Sequence, residues 1–168
     1  IVWEELQLRW PELPVDDSQA MFTDTQLVQK FQTAKFLDAW SNEVPEQQLL
    51  ETFNIQPGII RAKLKIMDWL VYSSVELAPL VNAQRHVGML SKLRKRLDSG
   101  IKEELVLLCE LRGIGRVRAR RLFNAGIKTV ADVKKTRAED LAKILGSGVA
   151  VSVKTNLGEE FEKGAKKK

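Results

Sequence analysis

Leu111-Arg-Gly-Ile-Gly-Arg-Val-Arg-Ala-Arg-Arg-Leu-Phe123 is the stretch on which the reading of this chain turns. Two glycines flanking one isoleucine allow a tight reversal between helices, because a residue without Cβ accepts backbone angles that others resist. Ile114 is then the buried residue of the turn, and Val117, Ala119, Leu122 and Phe123 are the packing positions of the helix that follows. Gly115 stands where that helix begins, at the end whose first backbone N–H groups have no helical partner. Those donors and the positive end of the helix dipole attract an anion, and a glycine there leaves it room to come close. Arg116, Arg118, Arg120 and Arg121 set four cations around the same end. The arrangement offers N–H groups and cations to phosphates but no amide fork to base edges, which implies sequence-independent, salt-sensitive binding to a nucleic-acid backbone. The plainer alternative is a helical hairpin with a solvated arginine surface.

Working outward, the same helical spacing recurs and no alternating strand pattern is long enough to build a sheet. Residues 1–17 mix Trp3, Trp10, Pro11 and Pro14, which reads as a short helix and a turn docked by its tryptophans. Leu27, Val28, Phe31, Ala34, Phe36, Leu37 and Trp40 give a broad apolar face to a helix that Thr23 or Asp24 can cap. A short helix over 46–53 ends in the loop Asn54-Ile55-Gln56-Pro57-Gly58. A long helix over about 59–78 carries Ile60, Leu64, Met67, Leu70, Val71, Ser74 and Leu77 on its inner face. The next covers 84–99, with Val87, Leu90, Leu93 and Leu97 inside and the basic run Lys92, Arg94, Lys95 and Arg96 partly exposed. Helical pieces are then expected at 102–111, 116–124, 130–135, 138–145 and 149–157. A second hairpin at Gly146-Ser147-Gly148 leads into a helix whose one cation is Lys154, so packing support for the first hairpin is its expected role.

The expected fold is all-α: a helical bundle followed by a small helix-hairpin-helix domain. The expected boundaries are 1–24 for an N-terminal segment packed on the bundle, 25–99 for the bundle, 100–158 for the hairpin domain, and 159–168 for a disordered basic tail.

Composition narrows the function classes. With 168 residues the chain can hold one sizeable core or two small domains. It starts at Ile1, which reads as a piece of something larger. No apolar run approaches the roughly 18 residues of a membrane span, and nothing points outside the cytoplasm. Cys109 sits in an apolar stretch and reads as a buried thiol, while His86 has no partner pattern. One cysteine and one histidine give no metal-ligand spacing. There is no Gly-rich loop ending in Lys-Ser/Thr and no nucleophile–base pairing, so no catalytic residues are expected. The net charge of +5 is unevenly divided, −6 over residues 1–84 and +11 over 85–168. Such a gradient suggests that the second half faces a polyanion.

The segment GIGRVRARRLFNAGI, continuing to Val133, resembles the C-terminal helix-hairpin-helix domain of the archaeal Ski2-like DNA repair helicases of the Hjm family, relatives of animal HelQ. IIRAKLKIMDWLVY, residues 59–72, resembles the long helix of that family's ratchet domain, and the KFLDAW ending of 27–40 resembles the helix that opens it. The resemblance covers about 25–157. It implies a parent superfamily 2 helicase that moves 3′ to 5′ with ATP and Mg, cofactors not expected in this fragment. It implies single-stranded, forked or branched DNA and the parent's own motor domains as partners, and nucleoid association. It also implies that Trp69 stacks on a base while a basic residue about two turns earlier holds the backbone. The position two full turns before Trp69 is Ala62, so Arg61 or Lys65 takes that role. Gly113, Gly115, Arg116, Arg118, Arg120 and Arg121 complete the expected DNA contacts. A module that binds a protein partner or inhibits the motor is the alternative function, and a structure-specific nuclease lacks the acidic cluster it would need.

Overall fold

Apolar residues spaced three and four apart become α-helix along the chain, as the computed structural model shows. It describes residues 2–9 and 25–158, which hold ten α-helices and no strand. The fold is all-α. The capping role expected of Thr23 or Asp24, the docking of Trp10 and the basic tail at 159–168 lie outside the described residues, as does the side chain of Trp3.

The chain divides into two compact units, residues 1–65 and 66–168, with the division inside one continuous helix. The first unit holds α1 (Val2–Leu8), α2 (Thr25–Ser41), α3 (Glu46–Phe53) and the beginning of α4 (Pro57–Leu77). Helix α2 packs against both α1 and α3. Leu6, Phe31, Phe36, Leu37, Leu49 and Ile60 are buried, and the rings of Phe36 and Phe53 meet edge to face with centroids 5.7 Å apart. Lys35 pairs with Glu5 across α1 and α2. Asn54 ends α3 in the left-handed region at φ 48°. Pro57 opens α4, where its fixed φ suits the first turn and its missing N–H costs no helical bond. Trp40 is half-buried in this unit, while Ala34, expected on the inner face of α2, is exposed. A single methyl carries so little apolar surface that this costs little.

The second unit begins within α4 and continues through a 3-10 turn at Gln84–His86 into α5 (Val87–Ser99). The inner face of α4 differs from the expected one. Val71 and Ala78 are buried, whereas Leu70, Ser74 and Leu77 are exposed. Leu70 and Leu77 each precede the buried line by one residue, which turns them about 100° around the helix. Leu97 is buried on α5, with Val87, Leu90 and Leu93 half-buried.

A 3-10 turn at Glu103–Leu105 leads into the single turn α6 (Val106–Cys109), then α7 (Arg116–Asn124), α8 (Val130–Lys135), α9 (Ala138–Leu145) and α10 (Ser147–Asn156). Their core is continuous, with Leu105, Leu108, Ala119, Leu122, Val133 and Leu141 wholly enclosed. Helix α9 packs on α7 and on α10. Cys109 is half-buried at the edge of this core rather than inside it, because α6 is only one turn long and turns a side outward. Thr129 and Asp132 close α8 with a reciprocal cap: the Asp132 N–H donates to Thr129 Oγ1 at 3.1 Å, and the Thr129 N–H donates to Asp132 Oδ2 at 2.9 Å. The Thr129 side chain, then the Lys128 and Thr129 N–H groups on Oδ2, hold the Asp132 carboxyl below its usual pKa.

Among the described residues of this unit, Lys154 is a buried cation. Its Nζ donates to the Lys134 carbonyl at 2.6 Å, fastening α10 to the last turn of α8. A cation is favoured at that end of a helix. The second hairpin turns at Gly146, whose φ of 89° favours glycine, so α10 starts at Ser147, two residues earlier than its spacing suggested.

Candidate nucleic-acid interface

The first hairpin is built from one glycine in the left-handed region and one with extended backbone. Gly113 has φ +85°, a region that side-chain-bearing residues rarely adopt, and the Ile114 N–H returns to the Leu111 carbonyl at 2.9 Å. Ile114 plugs the turn into the core. Gly115 has ordinary extended angles, φ −98° and ψ −176°, and caps α7 without any side-chain bond. The helical ladder begins with the Ala119 N–H on the Gly115 carbonyl at 2.9 Å. The amides of Val117 and Arg118 therefore have no partner four residues back. Space in front of Gly113 and Gly115 is open, with no atom within 4 Å of where a Cβ would stand.

The arginines divide by what they touch. Arg118 is exposed and donates from Nη1 to the Gly113 carbonyl at 2.9 Å, pinning the turn from its outer side. Arg120 is engaged within the domain. It pairs with Glu104 at 3.0 Å and lies over the Phe123 ring at 5.2 Å, bracing α7 against the preceding 3-10 turn. Arg116 is half-buried, while Arg121 is exposed one turn beyond Val117. Val117, expected as a packing position, is 63% exposed. It occupies the second position of α7, beside the open glycines, while Ala119 and Leu122 carry the buried side. Arg112, exposed just ahead of the turn, belongs with this surface and was missed because it precedes the glycines instead of following them.

Helix α4 displays its tryptophan. Trp69 is 64% exposed, and Arg61 and Lys65, eight and four residues before it, are exposed too. Next to Trp69 in sequence, Asp68 takes two bonds from Arg94 of α5, Nε to Oδ1 at 2.6 Å and Nη2 to Oδ2 at 3.1 Å. The hydrogen bonds to the guanidinium hold the Asp68 carboxyl below its usual range and raise Arg94. Arg94 also lies 4.7 Å from the centroid of the Tyr72 ring. The rest of the α5 basic run is likewise engaged. Lys92 pairs with Glu103 at 2.9 Å, Lys95 pairs with Glu110, and Arg96 Nε donates to the Ile101 carbonyl at 3.3 Å. Charge counted along the sequence overstates what α5 can offer a polyanion.

No helix among the described residues is long and apolar enough to cross a membrane. Among the same residues no group of three or more His, Cys, Asp or Glu side chains is placed to hold a metal.

Residues 2–100 match the family described as archaeal helicase, domain 4, and residues 105–153 match the SAM-like helix-hairpin-helix tandem. Similar proteins include three ATP-dependent DNA helicases Hel308. That of Pyrococcus horikoshii is 39% identical over 83% of this chain, that of Thermococcus kodakarensis 41% over 81%, and that of Methanocaldococcus jannaschii 37% over 80%. The chain spans only 20%, 12% and 11% of their respective lengths. By the match across residues 2–100 and by these identities, the chain belongs to the archaeal helicase domain 4 family and carries a helix-hairpin-helix tandem behind that domain.

Proposed function

We propose that this chain is a non-catalytic, DNA-gripping part of a Hel308-like helicase, binding single-stranded or forked DNA without regard to sequence. The observation that carries the reading is the uncapped start of α7 at Gly115, open to solvent and flanked by exposed Arg112, Arg118 and Arg121. Amides without helical partners, a helix dipole and cations converge there on a site that suits a backbone phosphate. Gly113 and Gly115 supply the turn and the clearance, and Arg118 holds the turn while facing the same side. Arg116 adds a cation at the first helical position, and Arg120 supports the hairpin through Glu104. The tandem match over residues 105–153 supports a nucleic-acid role for this surface.

On α4, exposed Trp69 is the base-stacking residue of the proposal, with Arg61 or Lys65 on the backbone. The sequence has no Gly-rich loop ending in Lys-Ser/Thr to hold a nucleotide triphosphate. ATP and Mg would bind in motor domains of the parent, which also drive its 3′ to 5′ movement and are a partner of this chain. Exposed Leu80 and Val81, 77% and 70% accessible after α4, favour a protein neighbour in addition to DNA. The proposed setting is cytoplasmic, on the nucleoid.

Fluorescence anisotropy with labelled single-stranded, duplex and forked DNA at several salt concentrations tests the reading. Steeply salt-dependent binding, weakened by Arg112→Ala with Arg121→Ala, is the expected result. No binding to any DNA at low salt overturns it.

A further inference from the structure

Tyr72 is the one tyrosine of the chain and stands three residues after Trp69 on α4. Three residues on a helix separate neighbours on the same side, about 4.5 Å apart along the axis. Both rings are exposed, 64% for Trp69 and 44% for Tyr72. An exposed aromatic pair is costly to leave in water unless something covers it. Tyr72 differs from Trp69 in being held. The Arg94 guanidinium lies 4.7 Å from its centroid, and Arg94 is itself fixed by two bonds to Asp68. A guanidinium so paired has its charge answered and its planar fork occupied, so it is poorly suited to gripping a phosphate. What the cluster presents outward is aromatic surface.

We infer that Tyr72 is a second stacking surface for a base of single-stranded nucleic acid, beside Trp69, and that Arg94, locked by Asp68, is the positioning residue that fixes the Tyr72 ring. The inference rests on the DNA-binding reading above and extends it from one base contact to two consecutive ones. The axial rise of about 4.5 Å from residue 69 to residue 72 is of the order of the step between neighbouring bases of a slightly stretched strand. Stacking of this kind tolerates any base, because every base offers a π-face. With its guanidinium stacked on it, the Tyr72 ring loses little further side-chain freedom when a base arrives.

The test labels the whole 168-residue chain with 3-fluorotyrosine, which gives one fluorine resonance, that of Tyr72. Titration with a short oligo(dT) is expected to move that resonance. Tyr72→Leu is expected to weaken single-strand affinity roughly fivefold to a hundredfold, with duplex affinity unchanged and Tyr72→Phe binding like wild type. Arg94→Met is expected to shift the resonance of the free protein and to weaken single-strand binding in part. Binding seen by anisotropy with an unmoved fluorine resonance overturns the inference and leaves the hairpin reading standing. So does a folded Tyr72→Leu variant that binds single strands as wild type does. If Tyr72→Leu fails to fold, the fluorine titration and Tyr72→Phe still decide. An unshifted resonance in Arg94→Met overturns the positioning role, and absence of all DNA binding by the wild type overturns both readings together.

Discussion

Two alanine substitutions two residues apart separate folding from binding at the hairpin. Gly113 sits at φ +85°, so a Cβ there forces the backbone into a conformation L-residues resist, although nothing crowds it. Left-handed backbone costs a non-glycine residue about 1–2 kcal/mol. For a domain of this size each kcal/mol moves the melting temperature by about 4–8 °C, so Gly113→Ala should melt roughly 5–15 °C lower. Gly115 is the opposite case, with φ −98°, ψ −176° and open space ahead of it. Alanine is a poorer N-cap than glycine by about 0.5–1 kcal/mol. The stiffer unfolded chain offsets that by about 0.4–1 kcal/mol. The two cancel to within roughly 0.5 kcal/mol, and Gly115→Ala should melt within a few degrees of wild type.

Its effect on DNA should be large all the same. The added methyl takes up part of the open space beside the start of α7 that an approaching phosphate would use, and losing one charge-assisted hydrogen bond there costs about 1.5–3 kcal/mol. That corresponds to about a tenfold to hundredfold weaker Kd. Thermal melting by circular dichroism and anisotropy on the same samples give both numbers. A Gly115→Ala variant that melts normally and binds DNA at full strength would refute the claim that a phosphate sits against those amides. A Gly113→Ala variant that melts with wild type would refute the backbone argument.

Arg121→Ala should lower the slope of log affinity against log salt by about one without changing stability, whereas Arg120→Ala should leave the slope unchanged, since Glu104 already answers its charge; salt titrations of both decide this. Trp69→Leu should weaken single-strand binding by roughly 1–3 kcal/mol and spare duplex binding, with no loss of melting temperature because the ring is largely exposed. Lys154→Met should cost about 1–3 kcal/mol of stability by leaving the Lys134 carbonyl without its donor, and should leave DNA affinity intact once melting is accounted for. The Arg94 guanidinium on Asp68, and the Thr129 side chain with the Lys128 and Thr129 amides on Asp132, hold both carboxyls below the usual aspartate range in the folded state. The stability they contribute is therefore complete above their unfolded pKa and is lost as pH falls through the lowered folded values. Melting temperature should be flat down to about pH 5 and fall below about pH 4, and Asp132→Asn should show less of that fall.

The hairpin was legible in the sequence because glycine spacing, buried isoleucine and helix start all depend on residues next to one another. Helix positions were legible for the same reason, since apolar period and loop residues are local. What the sequence hid was which face of each helix is covered, because that depends on neighbours distant along the chain. Leu70 and Leu77 fit the apolar period as well as Val71 and Ala78 do, and only packing chose between them. Val117 looked like core by type, yet the second position of a helix that starts at an open turn has nothing to pack on. Arg120 and Arg118 looked alike in the string, and their difference depends on Glu104 and on the Gly113 carbonyl. Tyr72 carried no motif. Its interest appears only when Arg94, twenty-two residues later, is seen over its ring.

The same long-range pairing changes what the basic half of the chain can do. A surplus of +11 over residues 85–168 suggests a broad positive face. Yet in the second unit Lys92, Arg94, Lys95 and Arg120 are each matched to a carboxylate, at Glu103, Asp68, Glu110 and Glu104. Exposed ion pairs contribute little stability, a fraction of a kcal/mol each. Their consequence lies in the field they leave behind, because a neutralised pair releases few counterions from a phosphate chain. Among the described residues, exposed Arg112 and Arg121 carry no such carboxylate partner and stand beside the turn that Arg118 pins. Binding should then follow the geometry of one turn rather than the charge of a whole surface.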